Sequence, residues 1–288
     1  MLKSGIYINL DRSKDRKKSL INSINSSGLD SNKYERISGI EPTNYEKEKS
    51  RGLKTSGEVG LWKSFLFSLE YVADNPSFES FIHFLEDDSE MSNSTRKGIE
   101  ISKNYMINNP KIDIIFLDYF ITPGFAKKLL EFRETYKKDF LFFDASQFYL
   151  ACTSSFIVKK ASASYILEIL KRIFKSKSHL LPIDLTLRSL FKLGIINGSL
   201  LDPLQSSPKY NPPLSEKSQI QTNKDESMNK SLEAYILLRK INSGQFTAFY
   251  CGECLSNLFE INNPLNKNSS TKEFLEFFSS CQKFMRTF

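Results

Sequence analysis

The chain has 288 residues, 40% of them hydrophobic and 25% charged, which is enough to bury a sizeable core in one large domain or in a domain with a smaller annex. Its formal charge of +7 is moderate and by itself fits an anionic small molecule, an acidic membrane surface or nucleic acid as a partner. Four irregularly spaced cysteines favour reduced thiols in a cytosolic protein over a disulfide framework, and no segment reaches the roughly 20 apolar residues of a membrane span.

Strand-like and helix-like patterns alternate through the first part of the chain. Without a signal-peptide pattern, the sequence begins in an apolar strand over 5–10, and a helix with an inward stripe of Leu20, Ile21 and Ile24 follows up to Gly28. Further strands are predicted over 34–40, 81–85, 112–117 and 148–158, and further helices over 58–72 and 161–174. Strands that alternate with helices predict an α/β fold built on a mostly parallel sheet.

The composition changes after Asp202 and Pro203. Ser, Pro, Asn, Gln and Lys dominate the stretch over 205–230, which predicts a long loop. We therefore expect three parts, a main domain over 1–207, a loop or linker over 208–230 and a C-terminal helical annex over 231–288.

Within the annex, Ser270-Thr-Lys-Glu273 has the spacing of a capping box and predicts a helix that runs to about Met285. The apolar face of this helix is aromatic, with Phe274, Phe277, Phe278 and Phe284 at helical intervals. Such a face either packs onto the main domain or docks on the inner face of the inner membrane as a peripheral contact.

The most informative segment is the apolar run over 81–85, which ends abruptly in three adjacent acids, Glu86, Asp87 and Asp88. In an open α/β sheet, ligands bind at the carboxyl ends of the strands, so these acids project into a binding crevice. Adjacent carboxylates repel one another unless water solvates them or a divalent cation neutralises them. A hard metal ion that bridges a diphosphate explains the cluster as a site, and a solvated acidic turn is the alternative.

A basic segment follows the first predicted strand. The first turns of its helix carry five cations, Arg12, Lys14, Arg16, Lys17 and Lys18. Cations are disfavoured at a helix N-terminus, and an anion such as a phosphate bound there relieves their crowding. A solvated basic face is the alternative, but an acidic turn and a basic turn at the same strand ends together favour a metal-bound diphosphate as the ligand.

Three blocks of the sequence resemble, in order, glycosyltransferase family 25, the lipooligosaccharide galactosyltransferases that also include the collagen galactosyltransferases. The first block, Ile8-Asn-Leu-Asp-Arg-Ser-Lys-Asp-Arg16, is similar to the family's I-N-L-D-R-x-x-x-R, and Tyr34-Glu-Arg-Ile-Ser-Gly-Ile40 follows like its second strand. Gly57-Glu-Val-Gly60 with Ser64, and then Leu85-Glu-Asp-Asp88, resemble the family's G-E-[IV]-G-C-x-x-S-H and [FL]-E-D-D. Weaker matches include Thr153-Ser-Ser-Phe-Ile-Val158, Pro182-Ile-Asp184 and Pro203-x-Gln205, so the resemblance spans residues 6–207.

The resemblance implies a nucleotide-diphospho-sugar transferase fold (GT-A-like) with a Rossmann-type mixed sheet, and a metal-dependent reaction that inverts the sugar anomer. The implied donor is a UDP-sugar, commonly galactose, and the implied acceptor is a saccharide of lipooligosaccharide, a lipid-linked saccharide or another glycan. Carried over residue by residue, the ligands of the divalent metal, for which we expect Mn²⁺, are Glu86 and Asp88. The implied donor-binding residues are Asn9, Arg16, Glu58 and Asp87.

The family cysteine falls on Leu61 and the family histidine on Phe65. An aromatic hydrocarbon cannot transfer a proton, so whatever the histidine contributes is absent here or supplied elsewhere. A non-catalytic protein of the same fold that acts in binding or scaffolding is therefore the alternative hypothesis. Nucleic acid is not an expected partner, because the 24 phenylalanines occur mostly within apolar strand and helix patterns.

An inverting displacement also needs a base that deprotonates the acceptor hydroxyl. Our candidate is Asp184, which stands at a predicted helix start and matches an acidic position late in the family's domain. An N-cap aspartate is the alternative interpretation of this residue. Asp118 and Asp144 are the reserve candidates for the base.

Overall fold

The computed structural model describes residues 1–41, 51–176, 178–211, 226–247, 250 and 253–254. The helix predicted over 270–285, with both of its interpretations, lies outside the described residues. So does the larger part of the predicted annex over 231–288.

The described part of the chain contains nine strands and eight α-helices. The strands are β1 (Lys3–Asn9), β2 (Tyr34–Ser38), β3 (Phe78–Glu86), β4 (Ser89–Met91), β5 (Ile114–Phe116), β6 (Leu141–Asp144), β7 (Ser155–Lys159), β8 (Gly198–Asp202) and β9 (Ser206–Pro208). The helices are α1 (Lys14–Ser26), α2 (Ser56–Asp74), α3 (Thr95–Asn108), α4 (Pro123–Tyr136), α5 (Ala145–Phe148), α6 (Lys160–Lys175), α7 (Ile183–Lys192) and α8 (Glu226–Asn242). None of these described helices is long and apolar enough to cross a membrane.

Seven strands form one mixed sheet in the order β2-β1-β3-β7-β5-β8-β6, and β4 pairs with β9 in a separate two-stranded sheet. β1 is parallel to β2 and β3, and β5 is parallel to β8. β7 is antiparallel to both of its neighbours, and β6 is antiparallel to β8. The predicted α/β class with a mixed sheet is confirmed. The expectation of a mostly parallel sheet is corrected, because β7 is inserted in the opposite direction between β3 and β5.

Side chains alternate across the central strands and form two apolar faces. On one face, Phe84 and Phe156 lie in a core that also includes residues of α2 and α6. On the other face, their neighbours Leu85 and Ile157 pack with residues of α1 and α3. Because helices cover both faces of the sheet, polar groups of the central strands reach solvent chiefly at the strand ends.

Two predicted strands differ from the observed ones in ways that matter for the site. β3 extends to Glu86, so this residue belongs to the strand, and the turn begins at Asp87. The first half of the strand predicted over 148–158 is wrong, because β7 begins only at Ser155. The apolar character of that first half comes from packing instead, since the buried Tyr149 stacks on Phe116 with 4.2 Å between ring centroids.

Helix α8 begins at Glu226, inside the linker predicted over 208–230, so that linker is shorter than predicted. Near the end of α8, the side chain of Asn242 accepts a hydrogen bond from the backbone N–H of Leu204 at 2.9 Å and donates one to Asp202 at 3.2 Å. Helix α8 therefore packs directly onto the end of β8.

β8 ends in a buried carboxylate. The side chain of Asp202 is 0% exposed and receives two hydrogen bonds from the guanidinium of Arg133 on α4, at 2.5 and 2.7 Å. Burying an ion pair costs the desolvation of both groups, and removing one partner leaves the other charge uncompensated. The pair therefore fixes α4 to the end of β8.

We expect Arg133→Met to lower the free energy of unfolding by about 3 kcal/mol, because the Asp202 carboxylate is then buried without its cation. Arg96→Met is the matched control, since Arg96 and its partner Glu100 are 65% and 62% exposed. Arg96→Met should lower the free energy of unfolding by less than about 0.5 kcal/mol. Urea denaturation followed by circular dichroism measures both variants, and equal losses would contradict the structural role of the buried pair.

Candidate functional site

One end of the sheet gathers the acids that follow its strands. β1 and β3 both end there, at Asn9 and Glu86, and β5 ends at the same side two residues before Asp118. β7 runs in the opposite direction, so the segment over 152–154 that precedes it reaches the same place. We call this place the acidic end of the sheet, defined by Glu86, Asp87 and Asp88.

Of the three acids at the acidic end, Asp87 is the one whose negative charge is balanced by close partners. Its carboxylate accepts hydrogen bonds from the side-chain amide of Asn9 at 2.8 Å and from the guanidinium of Arg16 on α1 at 3.0 Å. The amide oxygen of Asn9 accepts in turn from Nε of Arg36 on β2 at 3.1 Å. The structure thus brings together three of the four residues predicted to bind the donor.

Glu86 ends β3 and faces the segment over 152–154. Its carboxylate accepts a hydrogen bond from the hydroxyl of Thr153 at 2.9 Å, and its backbone N–H donates to the carbonyl of Ser154 at 2.8 Å. Burial, and then the charge of Asp88, raise the pKa of Glu86 from 4.5 to about 8, against the opposing effect of the Thr153 hydrogen bond. The charged form of Glu86 is therefore disfavoured by its surroundings.

Asp88 follows in the turn, and its side chain is 39% exposed. Burial is nevertheless the largest influence that raises its pKa, and the charge of Asp87 adds to the rise. Arg16, 3.9 Å away, and Arg239 act in the opposite sense. Asp88 is therefore open to water in part, while the surrounding protein disfavours its charged form.

Asp184 approaches the acidic end from α7. Its carboxylate accepts hydrogen bonds from the backbone N–H groups of Leu185 at 2.8 Å and of Cys152 at 3.4 Å. Burial raises the pKa of Asp184, and its charge in turn raises the pKa of Glu86, so the two carboxylates lie within electrostatic reach. The N-cap of α7 is Pro182, so the interpretation of Asp184 as the N-cap residue is wrong.

The fourth predicted donor-binding residue, Glu58, lies in the first turn of α2. There it forms a capping box with Thr55, whose hydroxyl accepts from the N–H of Glu58 at 3.1 Å. The Glu58 carboxylate accepts from the backbone N–H groups of Lys54 at 2.5 Å and of Thr55 at 3.2 Å. It is therefore engaged by backbone amides, although its charge contributes to the raised pKa of Asp184.

Phe65, which the resemblance to family 25 aligns with a histidine, belongs to the hydrophobic core. It is 1% exposed, and its ring stacks on that of Phe156 with 5.5 Å between centroids. The ring of Phe84 lies 6.4 Å away on the same face of the sheet. The phenylalanine at this position therefore contributes to core packing.

The two reserve candidates for the base are poorly placed for that role. Asp118 is 0% exposed, and both of its oxygens bind the guanidinium of Arg239, one of them at 2.8 Å. Asp144 ends β6, which is antiparallel to β8, so it lies toward the opposite end of the sheet. There it caps α5 by accepting a hydrogen bond from the N–H of Ser146 at 2.8 Å.

Within the described residues, no group of three His, Cys, Asp or Glu side chains could hold a metal ion by itself. Magnesium-type ions in nucleotide-dependent enzymes are instead held by one or two carboxylates together with the phosphates of the substrate. Glu86 and Asp88 are the two carboxylates that would form such a partial site: the charge of Asp88 raises the pKa of Glu86, and a cation between them would relieve this repulsion. Asp87 is already bound by Arg16.

Sequence patterns do not identify several residues that organise this site. Thr153 and Ser154 lie in a weak family match, which is the one signal that points to them. Arg239 pairs with Asp118 from 121 residues away, and no local pattern predicts such a contact. Cys152 adopts a φ of 91°, a left-handed backbone conformation that only the structure reveals.

No protein-family model matches the chain, and a search of curated proteins finds no relative. Similar solved structures include apo mouse xyloside xylosyltransferase 1, with 14% identity, a TM-score of 0.34 and coverage of 66% of this chain and 69% of that one. A fragment of S. aureus TarS comprising residues 1–349 matches with 12% identity and a TM-score of 0.38, covering 100% and 92% of the two chains. The same fragment in complex with UDP-GlcNAc matches with 13% identity and a TM-score of 0.34, covering 98% and 81%. Similarities this low carry no argument about activity, and the α/β class rests on the strand order of the chain itself.

We expect Glu86→Gln to stabilise the ligand-free protein at pH 8 but not at pH 4.5. The pKa of Glu86 is about 8 in the folded state and ordinarily 4.5, so the folded state binds more protons between these values. The free energy of unfolding therefore falls as the pH rises through this window, and glutamine removes that dependence. Melting temperatures of both proteins across the pH series test this. A stability difference that does not vary with pH would show that Glu86 is not under electrostatic stress.

Proposed function

We propose that this chain is a nucleotide-sugar-dependent glycosyltransferase that takes a UDP-sugar as its donor. The observation that carries the proposal is the unequal charge balance of three adjacent acids. Asp87 accepts close hydrogen bonds from Arg16 and Asn9. By contrast, the pKa values of Glu86 and Asp88 are raised, Arg16 lies farther from Asp88, at 3.9 Å, and the hydrogen-bond partner of Glu86 is the uncharged hydroxyl of Thr153. A divalent cation would supply the missing positive charge, and it would in turn bind the diphosphate of the donor.

Glu86 and Asp88 would hold the divalent cation, for which we propose Mn²⁺. When bound, that ion would stabilise the negative charge that develops on the departing diphosphate. Arg16, 3.9 Å from Asp88, is a fixed cation beside the same place. Asp87 would accept hydrogen bonds from hydroxyl groups of the ribose or the sugar. Asn9 would lie near the nucleotide, where its side-chain amide holds Asp87 in place.

Asp184 would act as the general base. Its raised pKa makes the carboxylate a better proton acceptor, and the amides of Leu185 and Cys152 hold it in place. The acceptor hydroxyl would lose its proton to an oxygen of Asp184 while its own oxygen attacks the anomeric carbon. The bond from that carbon to the diphosphate oxygen breaks in the same displacement, which inverts the anomer.

For the sugar, the acceptor and the location, our proposal is supported by the resemblance to family 25 in the blocks between Ile8 and Asp88. The transferred sugar would be galactose, and the acceptor would be a saccharide of lipooligosaccharide, a lipid-linked saccharide or another glycan. The protein would act in the cytoplasm, with a peripheral contact at the inner membrane.

The direct test is turnover of a panel of radiolabelled UDP-sugars, with Mn²⁺ and with a chelator in its place. Release of UDP, or transfer to an added saccharide, that requires both the protein and the ion supports the proposal. Binding of UDP-sugars with no turnover across the whole panel would instead support the scaffolding alternative.

We expect Asp88→Asn to abolish Mn²⁺-dependent binding of UDP-sugar and to leave the fold intact, because the core does not need this charge. Thermal shifts with UDP-sugar, with and without Mn²⁺, report this binding to the folded state. Asp139→Asn is the matched control, since Asp139 is 80% exposed beside Lys97 and should bind like the wild type. Wild-type transfer rates for Asp88→Asn at limiting Mn²⁺ would exclude the proposed metal role.

We expect Asp184→Asn to lower kcat by about 10² to 10⁴ with little change in donor affinity, because a general base acts in the transition state. Asp144→Asn is the control, since Asp144 caps α5 and asparagine caps a helix equally well. Single-turnover transfer and donor titration separate the two effects. An unchanged kcat with a lowered melting temperature would identify Asp184 as a structural residue that orders the amide of Cys152.

A further inference from the structure

Arg239 is a cation buried behind the acidic end of the sheet. It lies on α8, is 6% exposed, and binds both oxygens of Asp118 through Nε and a terminal nitrogen. The same terminal nitrogen lies 3.0 Å from Sγ of Cys152. The hydroxyl of Ser154 also donates to Asp118, so the ion pair contacts both ends of the segment over 152–154.

The same segment contacts two carboxylates to which we assign roles in transfer. The hydroxyl of Thr153 donates to Glu86 at 2.9 Å, and the backbone N–H of Cys152 donates to Asp184 at 3.4 Å. Glu86 is thereby linked to Asp184 through two adjacent residues. A shift of this short segment would change the position of both carboxylates at once.

The backbone conformation of this segment is unfavourable by itself and is stabilised by contacts with neighbouring residues. Cys152 has a φ of 91°, a backbone angle that residues other than glycine rarely adopt. Such a conformation persists only where neighbouring groups impose it. Around Cys152 these groups are Arg239 at 3.0 Å and Ser154 at 3.2 Å from Sγ, and the hydroxyl of Tyr149, which donates to its carbonyl at 2.9 Å.

We propose that Arg239 is a positioning residue, which holds the segment over 152–154 so that Glu86 and Asp184 keep the relative placement that transfer requires. This inference rests on the proposed transferase function. Arg239 acts through Asp118 and Cys152, and the role does not require it to touch the donor or the acceptor. The predicted annex would thereby contribute to the site by ordering it.

A second buried pair in the same protein provides a matched comparison. Arg133 and Asp202 also form a bidentate pair, and Asp202, like Asp118, is 0% exposed. This pair lies at the end of β8, which is separated from β7 by β5 in the sheet. Removing the cation from either pair leaves a buried carboxylate unpaired, but only Arg239 contacts the segment over 152–154.

The first measurement compares kcat per folded molecule for Arg239→Met and Arg133→Met at saturating UDP-sugar. We expect Arg239→Met to lower kcat about 100-fold, the scale of a small misplacement of reacting groups, and Arg133→Met to leave it unchanged. Arg239→Lys keeps the charge but cannot form the two-pronged contact, so it should recover part of the rate. Arg239→Lys also supplies the comparison if Arg239→Met does not fold.

The second measurement is independent of transfer activity and uses the thiol of Cys152 as a reporter. The background carries serine at the other three cysteine positions, Cys251, Cys254 and Cys281. Burial raises the pKa of the Cys152 thiol to about 12, and the charge of Arg239 opposes that rise. Loss of the charge alone should therefore slow reaction with an aromatic disulfide, whereas release of the segment should expose the thiol and speed it.

We expect Arg239→Met to react faster than the wild type and Arg133→Met to react at the wild-type rate. Slower or unchanged labelling of Arg239→Met, together with a kcat equal to that of Arg133→Met, would overturn the positioning role. If the wild type turned over no UDP-sugar at all, the proposed function would fail. Faster labelling of Arg239→Met would still support the holding role of Arg239 in that case.

Discussion

The structure depends on how negative charge is balanced at one end of a sheet that is covered by helices on both faces. Because helices exclude water from both faces of the sheet, the negative charge of the acids that follow the strands must be balanced at the strand ends, by water or by a cation. Asp118 and Asp202 are fully buried, and each is bound by an arginine from a helix that is distant in sequence. Burial without those arginines would leave isolated charges in an apolar medium, which proteins avoid.

The acids at this end fall into two sets according to their partners. Asp87, Asp118 and Asp202 are bound by guanidinium groups and contribute to the architecture. Glu86 and Asp88, by contrast, have pKa values raised by burial and by neighbouring negative charge. A protein that keeps such a stressed pair in its folded state gives up stability at a place where a ligand can restore it, as functional sites commonly do.

Local apolar periodicity was sufficient to predict β1, β3, α2 and α6, because each of these elements buries a regular stripe or run of side chains. The resemblance to family 25 implied that Asn9, Arg16 and Asp87 share a donor site, and the structure places them in hydrogen-bonding contact. Helix α3 was not predicted, because three of its five buried residues, Thr95, Gly98 and Ser102, are small or polar and give no apolar stripe, and because its packing partner is distant in sequence. A side chain at Gly98 would collide with Gln205, 2.5 Å from the added carbon. The pairing of Arg239 with Asp118 has the same origin, since long-range contacts leave no periodic pattern in the sequence.

The position of Arg239 in the chain has a consequence for biosynthesis. Asp118 is translated 121 residues before the cation that neutralises it, which at about 5 to 20 residues per second corresponds to roughly 6 to 24 s. Until α8 emerges from the ribosome, the nascent chain must keep this carboxylate hydrated or protonated, because burying it alone is unfavourable. The strands and covering helices can assemble during this interval. Closure of the acidic end is therefore expected among the last events of folding, after most of the chain has already been made.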